Sequence, residues 1–295
     1  MRIIKDSIIL VNTDSNNSKK VINYLKRNNK KFYSDNDVEK SRVLIRKKLN
    51  EGCKEFIICG GDGSINKFIN EYGKLSKDKK EKISLGIIPC GRANDLARAL
   101  KIPFKIEEAF KTIDNNKTKK IDLIKVNDSY FITGGGLGLP TEIIKDVNTL
   151  SRNFLTRGIK KILGESIYLW ITLKKFIFGY KGIEETRDKL LAIYVLNQSF
   201  IGKRFNIAPE AKNNDGYFDV KFVKMPPTFL SNFKTLSYGS KGKIDELGWV
   251  IKKKAQKLTI NLKEPFYFMG DGELLEKSKQ FAIEVVPEGI NILTN

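Results

Sequence analysis

The stretch that decides the fold is FIICGGDGSINKFINEY, residues 56–72. Phe56 to Cys59 is a short unbroken apolar run, the pattern of a strand buried on both faces. Gly60-Gly61-Asp62-Gly63 follows at once, and from Ser64 to Tyr72 the apolar residues recur at helical spacing. A strand that turns through glycines into a helix brings backbone N–H groups close to whatever sits at the turn. The helix N-terminus adds partial positive charge, which makes such a turn a phosphate cradle. Asp62 inside that loop would repel phosphate unless a cation lay between them, which points to a metal–nucleotide complex. The same residues also suit a plain tight turn with Ser64 as N-cap.

Outward from this stretch the pattern repeats. Toward the N-terminus lie an apolar run at Ser7 to Asn12, a helix over residues 18–29, a short strand at Lys31 to Ser34 and a helix at Val38 to Leu49. Toward the C-terminus lie a charged loop at Lys74 to Lys82, a strand at Leu85 to Ile88, the turn Pro89-Cys90-Gly91 and a helix from about Arg92 to Leu100. Strands alternating with helices over short loops imply a largely parallel sheet covered on both faces. Two strand–turn–helix units with polar residues at the turns, Asp62 and Ser64 in one and Asn94 and Asp95 in the other, would share a cleft at the carboxyl edge of that sheet. Beyond about residue 125 the texture changes to strands at Tyr130 to Thr133, Lys189 to Leu196, Phe218 to Val223, Lys257 to Leu262, Phe266 to Met269 and Phe281 to Val286. One helical region, roughly Phe154 to Phe178, interrupts them. Clustered strands of this kind predict an antiparallel sandwich. Gly270-Asp271-Gly272-Glu273 reads as a hairpin turn between two of them.

Composition narrows the chemistry. The 295 residues suit two domains, each able to bury a core without disulfides. Histidine is absent, which excludes every Ser-His-Asp, Cys-His and His-zinc arrangement and leaves carboxylate, Lys, Tyr or Cys as general base. Glu273, borne on a turn, is a base to look for. Cys53, Cys59 and Cys90 match no metal spacing and read as reduced, buried thiols of a cytoplasmic protein. The N-terminus lacks the form of a signal peptide, and no apolar run is long enough for a membrane span, so membrane contact is expected to be peripheral. With 54 Lys+Arg against 34 Asp+Glu the net charge is +20, which favours an anionic partner: nucleic acid, anionic membrane or phosphorylated substrate.

Taken together the motifs resemble the diacylglycerol kinase catalytic-domain superfamily, which includes bacterial lipid kinases and the sphingosine and ceramide kinases. The resemblance rests on GGDGS (60–64), GIIPCGRANDLARAL (86–100), KKIDLIKVN (119–127), IAPEAKNNDGYFDV (207–220) and GDGE (270–273), five landmarks in family order over nearly the whole chain. It implies an α/β N-terminal nucleotide-binding domain, similar to NAD kinase and phosphofructokinase, over residues 1–125. The final strand, from about 283 to 295, returns to that domain. A C-terminal antiparallel β-sandwich over residues 126–282 takes the lipid substrate. The implied activity is ATP- and Mg²⁺-dependent phosphorylation of a lipid hydroxyl, diacylglycerol or a related lipid.

By motif position, the resemblance gives Gly60, Gly61, Asp62, Gly63, Ser64, Ile65 and Asn66, with Asn12, Ser34 and Arg92, to ATP. It gives Glu273 the role of general base with Asp122 in support, and it puts Asp62 near the catalytic Mg²⁺. In the sphingosine kinase branch the residue at the Asp62 position has been the proposed base, so the choice stays open. Asp95 orients the cleft, and Asp215 with the carbonyls of Lys212 and Tyr217 matches a structural Mg²⁺ site. The expected partners are ATP and a lipid in an anionic membrane surface, with no nucleic acid and with a homodimer as an open option. The lysine-bearing segment Arg157 to Lys181, with Tyr168 and Trp170, suits a membrane interface or an ordinary core helix.

Two departures bear on nucleotide affinity. The loop Asn12-Thr13-Asp14-Ser15-Asn16 lacks the family's Pro and Gly, and Arg92 replaces a Thr. The rival readings are an NAD kinase and a catalytically silent lipid- or nucleotide-binding regulator.

Overall fold

Apolar runs become buried strands from the start of the chain. In the computed structural model, which describes residues 7–152, 166–185, 188–203 and 205–295, β1 (Ile8–Asn12), β2 (Tyr33–Asp35), β3 (Glu55–Gly60) and β4 (Ser84–Pro89) pair in parallel in the order β4-β3-β1-β2. Helices α1 (Ser18–Arg27), α2 (Val38–Asn50), α3 (Asp62–Tyr72), α5 (Asp95–Ala99) and α6 (Ile106–Asp114) accompany them. α3 buries Ile65, Phe68, Ile69 and Tyr72, positions i, i+3, i+4 and i+7, as a helix with one face on the core must. Phe68 lies 5.0 Å from Phe56 of β3 and 5.7 Å from Tyr72, ring centre to ring centre. Burying each such ring contributes about 1.5–3 kcal/mol.

Two local expectations shift. The charged loop after Lys74 contains one helical turn, α4 (Lys77–Lys80). The helix expected from Arg92 starts only at Asp95, because Asn94 adopts a left-handed conformation (φ 52°) and its side chain closes the preceding turn. Cys59 and Cys90 are buried, and burial pushes both thiols up, Cys90 to about 12, so neither is a thiolate nucleophile.

The second half is antiparallel. Its strands are β5 (Thr118–Val126), β6 (Ser129–Phe131), β7 (Gly134–Gly138), β8 (Ile183–Glu184), β9 (Lys189–Leu196), the hairpin β10 (Phe200–Ile201) and β11 (Phe205–Asn206), β12 (Phe218–Lys224), β13 (Val250–Ala255), β14 (Lys257–Gly270) and β15 (Glu273–Leu293). The helices are α7 (Leu139–Arg152), α8 (Ser166–Ile177) and α9 (Phe229–Ser240). α8 covers the end of the helical region expected at 154–178; residues 153–165 lie outside the described ones. The segments at 257–262 and 266–269 are one strand, β14, with register shifts along its pairing with β15. β15 pairs with β14, then β5, and finally runs parallel to β4 through Asn291 and Ile292. One strand thereby joins both halves into a thirteen-stranded sheet among the described residues. The expected fold class, an α/β half followed by an antiparallel sandwich, is borne out.

Candidate active site

The site is built where β1, β3 and β4 end. Gly60 of β3 is in register with Pro89 of β4, so the two turns leave the sheet side by side. A methyl group on Gly61 would lie 3.0 Å from the Gly91 Cα, and one on Gly91 would overlap the Gly61 backbone. The turns therefore touch main chain to main chain, which only glycine allows. The Asn94 side chain holds the second turn shut: its Oδ1 accepts from the Gly91 N–H (2.9 Å) and its Nδ2 donates to the Gly91 carbonyl (2.9 Å). From β1, Asn12 Nδ2 donates to Ser64 Oγ (3.0 Å).

α3 opens at Asp62 with Gly61 as its N-cap and without a side-chain cap. The Ser64 and Ile65 N–H groups turn back to the Gly61 carbonyl. Those of Asp62 and Gly63 are left at the open helix end, where an anion is favoured.

Four carboxyls surround this turn: Asp62, Asp95, Asp271 and Glu273. The Asp62 carboxyl is pushed up to about 7 by burial, with Asp95 and Asp271 adding to the rise and the N–H groups of Leu96 and Asp95 opposing it. Its Oδ1 is buried without a hydrogen-bond partner. Asp95 is raised by burial too, although the backbone N–H groups of Gly202 (2.5 Å) and Lys203 (3.0 Å) donate to it. Asp95 thus clamps the α5 end of the first half to the β10–β11 turn of the second.

Asp271, not singled out from the sequence, is the anchor of the network. Its fully buried carboxylate, raised by burial, accepts from Asn66 Nδ2 (2.9 Å), the Ile132 and Thr133 N–H groups and Thr133 Oγ1 (2.6 Å). Asn66, expected at the phosphates, is buried here. Its amide nitrogen also donates to the Tyr130 carbonyl (3.3 Å), and its oxygen accepts from Asn70 (3.1 Å). Ile65 is buried in the core cluster. Both side chains are engaged within the fold and hold α3 in place.

Asp271 and Gly272 have φ of 51° and 80°, the left-handed pair of a two-residue hairpin turn. That turn delivers Glu273 to the glycine loop: a methyl group on Gly63 would lie 2.5 Å from Glu273 Oε1. Lys67, one helical turn beyond Gly63, is partly buried. Burial lowers its ammonium, while Glu273 draws it back up. Lys67, Asn12, Ser34 and Ser64 line a cleft of about 350 Å³ at the ends of β1 and β2. Sequence reading missed Lys67 because it falls just after the motif, where a lone helical lysine looks like solvated surface.

The remaining expected residues lie elsewhere. Asp122 Oδ2 accepts from the Gly216 N–H (2.7 Å) and Oδ1 from the Glu288 N–H (2.8 Å). Asn197 Nδ2 bridges the carbonyls of Asp122 and Ile132, both at 2.8 Å, and so links Asp122 to the Asp271 network through the backbone. Asp215 Oδ1 accepts from the Tyr217 N–H (3.1 Å), and its Oδ2 pairs with the Lys254 ammonium (2.7 Å), which also lies over the Tyr217 ring. Lys212 and Tyr217 are exposed beside it. A carboxylate already neutralised by an ammonium does not fit a metal ion. Arg92 is exposed on the second turn.

Asp62 is different: a buried, unpartnered oxygen among other acids fits a divalent cation whose remaining ligands come from phosphates and water.

Residues 8–126 match the diacylglycerol kinase catalytic domain, and residues 175–294 match the YegS C-terminal NAD kinase beta sandwich-like domain. A diacylglycerol kinase of Bacillus subtilis (strain 168) is 30% identical over 219 residues, 74% of this chain and 70% of that protein. The crystal structure of a diacylglycerol kinase from Bacillus anthracis str. Sterne superposes with a TM-score of 0.73 at 21% identity, covering 100% of this chain and 98% of that one. An NAD kinase from Archaeoglobus fulgidus, solved in complex with ATP, shares the fold at a TM-score of 0.53 and 14% identity, over 98% of this chain and 94% of that one.

Proposed function

The chain belongs to the diacylglycerol kinase catalytic-domain family and is a lipid kinase with a hydroxyl acceptor; from that premise we propose that it transfers the γ-phosphate of ATP, with Mg²⁺, to a diacylglycerol or related lipid at an anionic membrane surface. The observation that carries the reading is the contact of Glu273 with Gly63, which puts a carboxylate from the second half at the open N-terminus of α3.

Phosphoryl transfer demands alignment and charge neutralisation more than covalent help. The Asp62 and Gly63 N–H groups and the Lys67 ammonium meet the phosphates, and Asn12, Ser34 and Ser64 line the cleft for the rest of the nucleotide. Asp62 would hold Mg²⁺, and the ion would supply charge neutralisation on the phosphoryl oxygens. Of the two candidate bases the geometry favours Glu273. It is exposed to an incoming hydroxyl, whereas the Asp62 carboxyl is turned toward the start of α5, where the Asp95 and Leu96 N–H groups donate to it. Glu273 accepts the hydroxyl proton as the oxygen attacks the γ-phosphorus, and the bond from that phosphorus to the β–γ bridging oxygen breaks to release ADP. Asp95 and Asp271 act by position: one clamps the halves across the cleft, the other fixes the turn that carries Glu273.

The test is transfer of label from [γ-³²P]ATP to a panel of lipid hydroxyls in detergent, with NAD as a soluble acceptor and Glu273→Gln as the blank. Labelled lipid made by the wild type alone supports the reading. Labelled NADP, or no labelled product, refutes it.

A further inference from the structure

We infer that an apolar edge shared by α8 and α9 is the surface that docks on the bilayer, an inference resting on the lipid-kinase reading above. α8 exposes Trp170 (64%), Ile177 (63%) and, just past its end, Phe178 (79%); α9 exposes Phe229 (51%) and Leu230 (74%). The two helices meet through Phe233, whose ring lies 6.0 Å from Phe176 of α8 and 5.3 Å from Phe229. The C-terminal end of α8 and the N-terminal end of α9 therefore form one edge. Single exposed apolar residues are ordinary on a soluble protein, but bulky ones gathered at two adjoining helix ends mark an interaction surface.

Charge selects the occupant. Lys174 and Lys181 are exposed and carry no ion pair among the described residues. The neighbouring acids Glu142 and Asp146 are taken up by Lys175. The edge is thus apolar with a basic margin, the pattern of an interfacial helix on anionic lipid. A second copy using the same edge would bring two basic margins into one interface, which like-charge repulsion disfavours and which an anionic lipid surface would instead neutralise.

The edge also connects to the cleft. Phe176 packs in one cluster with Ile201 and Phe205 of the β10–β11 hairpin, and the turn of that hairpin donates to Asp95. A bilayer seated on α8 and α9 would bear on the element that meets the catalytic half.

Sedimentation of the full chain with phosphatidylglycerol and phosphatidylcholine vesicles tests this, comparing wild type with the double variant Phe178→Glu/Leu230→Glu. Both positions are exposed enough for the fold to tolerate the change. The expected result is wild-type binding to the anionic vesicles, weakened at least about tenfold in the variant, with turnover of detergent-solubilised lipid unchanged. Equal vesicle binding by the two proteins overturns the inference. So does a wild-type dimer that the variant dissolves while vesicle binding persists, because a second copy would then cover the edge. Weakened vesicle binding by the variant, with no lipid phosphorylated in detergent by either protein, would leave the docking surface standing and sink the kinase reading instead.

Discussion

Asp62→Asn separates the electrostatic strain of the site from its chemistry. Burial and the neighbouring Asp95 and Asp271 raise the Asp62 carboxyl from 3.8 to about 7. The folded protein then holds that proton more tightly than the unfolded chain does, so ionisation opposes folding. The penalty is absent below the unfolded value, grows as pH rises past it, and is complete above the folded value. At about 1.4 kcal/mol per pH unit, a rise of about three units sets a ceiling of about 4 kcal/mol. Asp62 is partly exposed, and solvent screening cuts that to about 2 kcal/mol. Asn never ionises. Without Mg²⁺ and nucleotide, the variant should therefore melt about 4–8 °C above wild type near pH 8.5, and the gain should shrink toward zero as pH approaches about 4. The same variant should lose at least about a hundredfold in lipid phosphorylation. Thermal melts across the pH series provide the measurement. A variant that melts at or below wild type near pH 8.5, or that gains equally at both ends of the series, refutes the buried-acid account.

The other sites give predictions of different sign. Gly63→Ala should slow turnover by at least about tenfold, because the new methyl displaces Glu273, while exchanging glycine for alanine inside α3 should add about 0.5–1 kcal/mol of stability; an unchanged kcat in the stabilised protein would contradict the placement of Glu273. Lys67→Met should weaken ATP binding by about tenfold or more in calorimetric titration and leave adenosine binding unchanged, and equal losses for both ligands would remove Lys67 from the phosphates. Because Lys254 already neutralises Asp215, a chelator should shift the melting temperature of the nucleotide-free wild type and of Asp215→Ala equally; a fall of several degrees in the wild type that the variant does not share would show that the Asp215 loop takes a metal ion.

The fold was largely legible where short apolar runs met turn residues. Phe56–Cys59 before the glycines and the run before Asn12 became β3 and β1, and the Asp-Gly of 270–273 became a two-residue turn. What failed to show was of three kinds. β13, VIKKKA, carries lysines along an edge strand, a pattern that discourages further pairing and hides the alternation that marks a strand. α9 buries only Thr235 and Gly239 and leaves the apolar Phe229 and Leu230 exposed, so its spacing did not mark a core-facing helix. Asp271 could be read as a turn residue from its neighbours, but its partners Asn66 and Thr133 lie 205 and 138 residues away in the chain. The same distance hid the engagement of Asn66, which from the motif alone looked available to a ligand. Local chemistry gave the glycine turn and the turn-borne acid; only the paired sheet brings them into contact.

The most direct measurement of the central claim is steady-state lipid phosphorylation by Glu273→Gln, with its ATP affinity determined in parallel. The account predicts that kcat falls by about a hundredfold to ten-thousandfold while the ATP dissociation constant stays within about twofold and the protein remains folded. Near-normal turnover by a well-folded variant would contradict it.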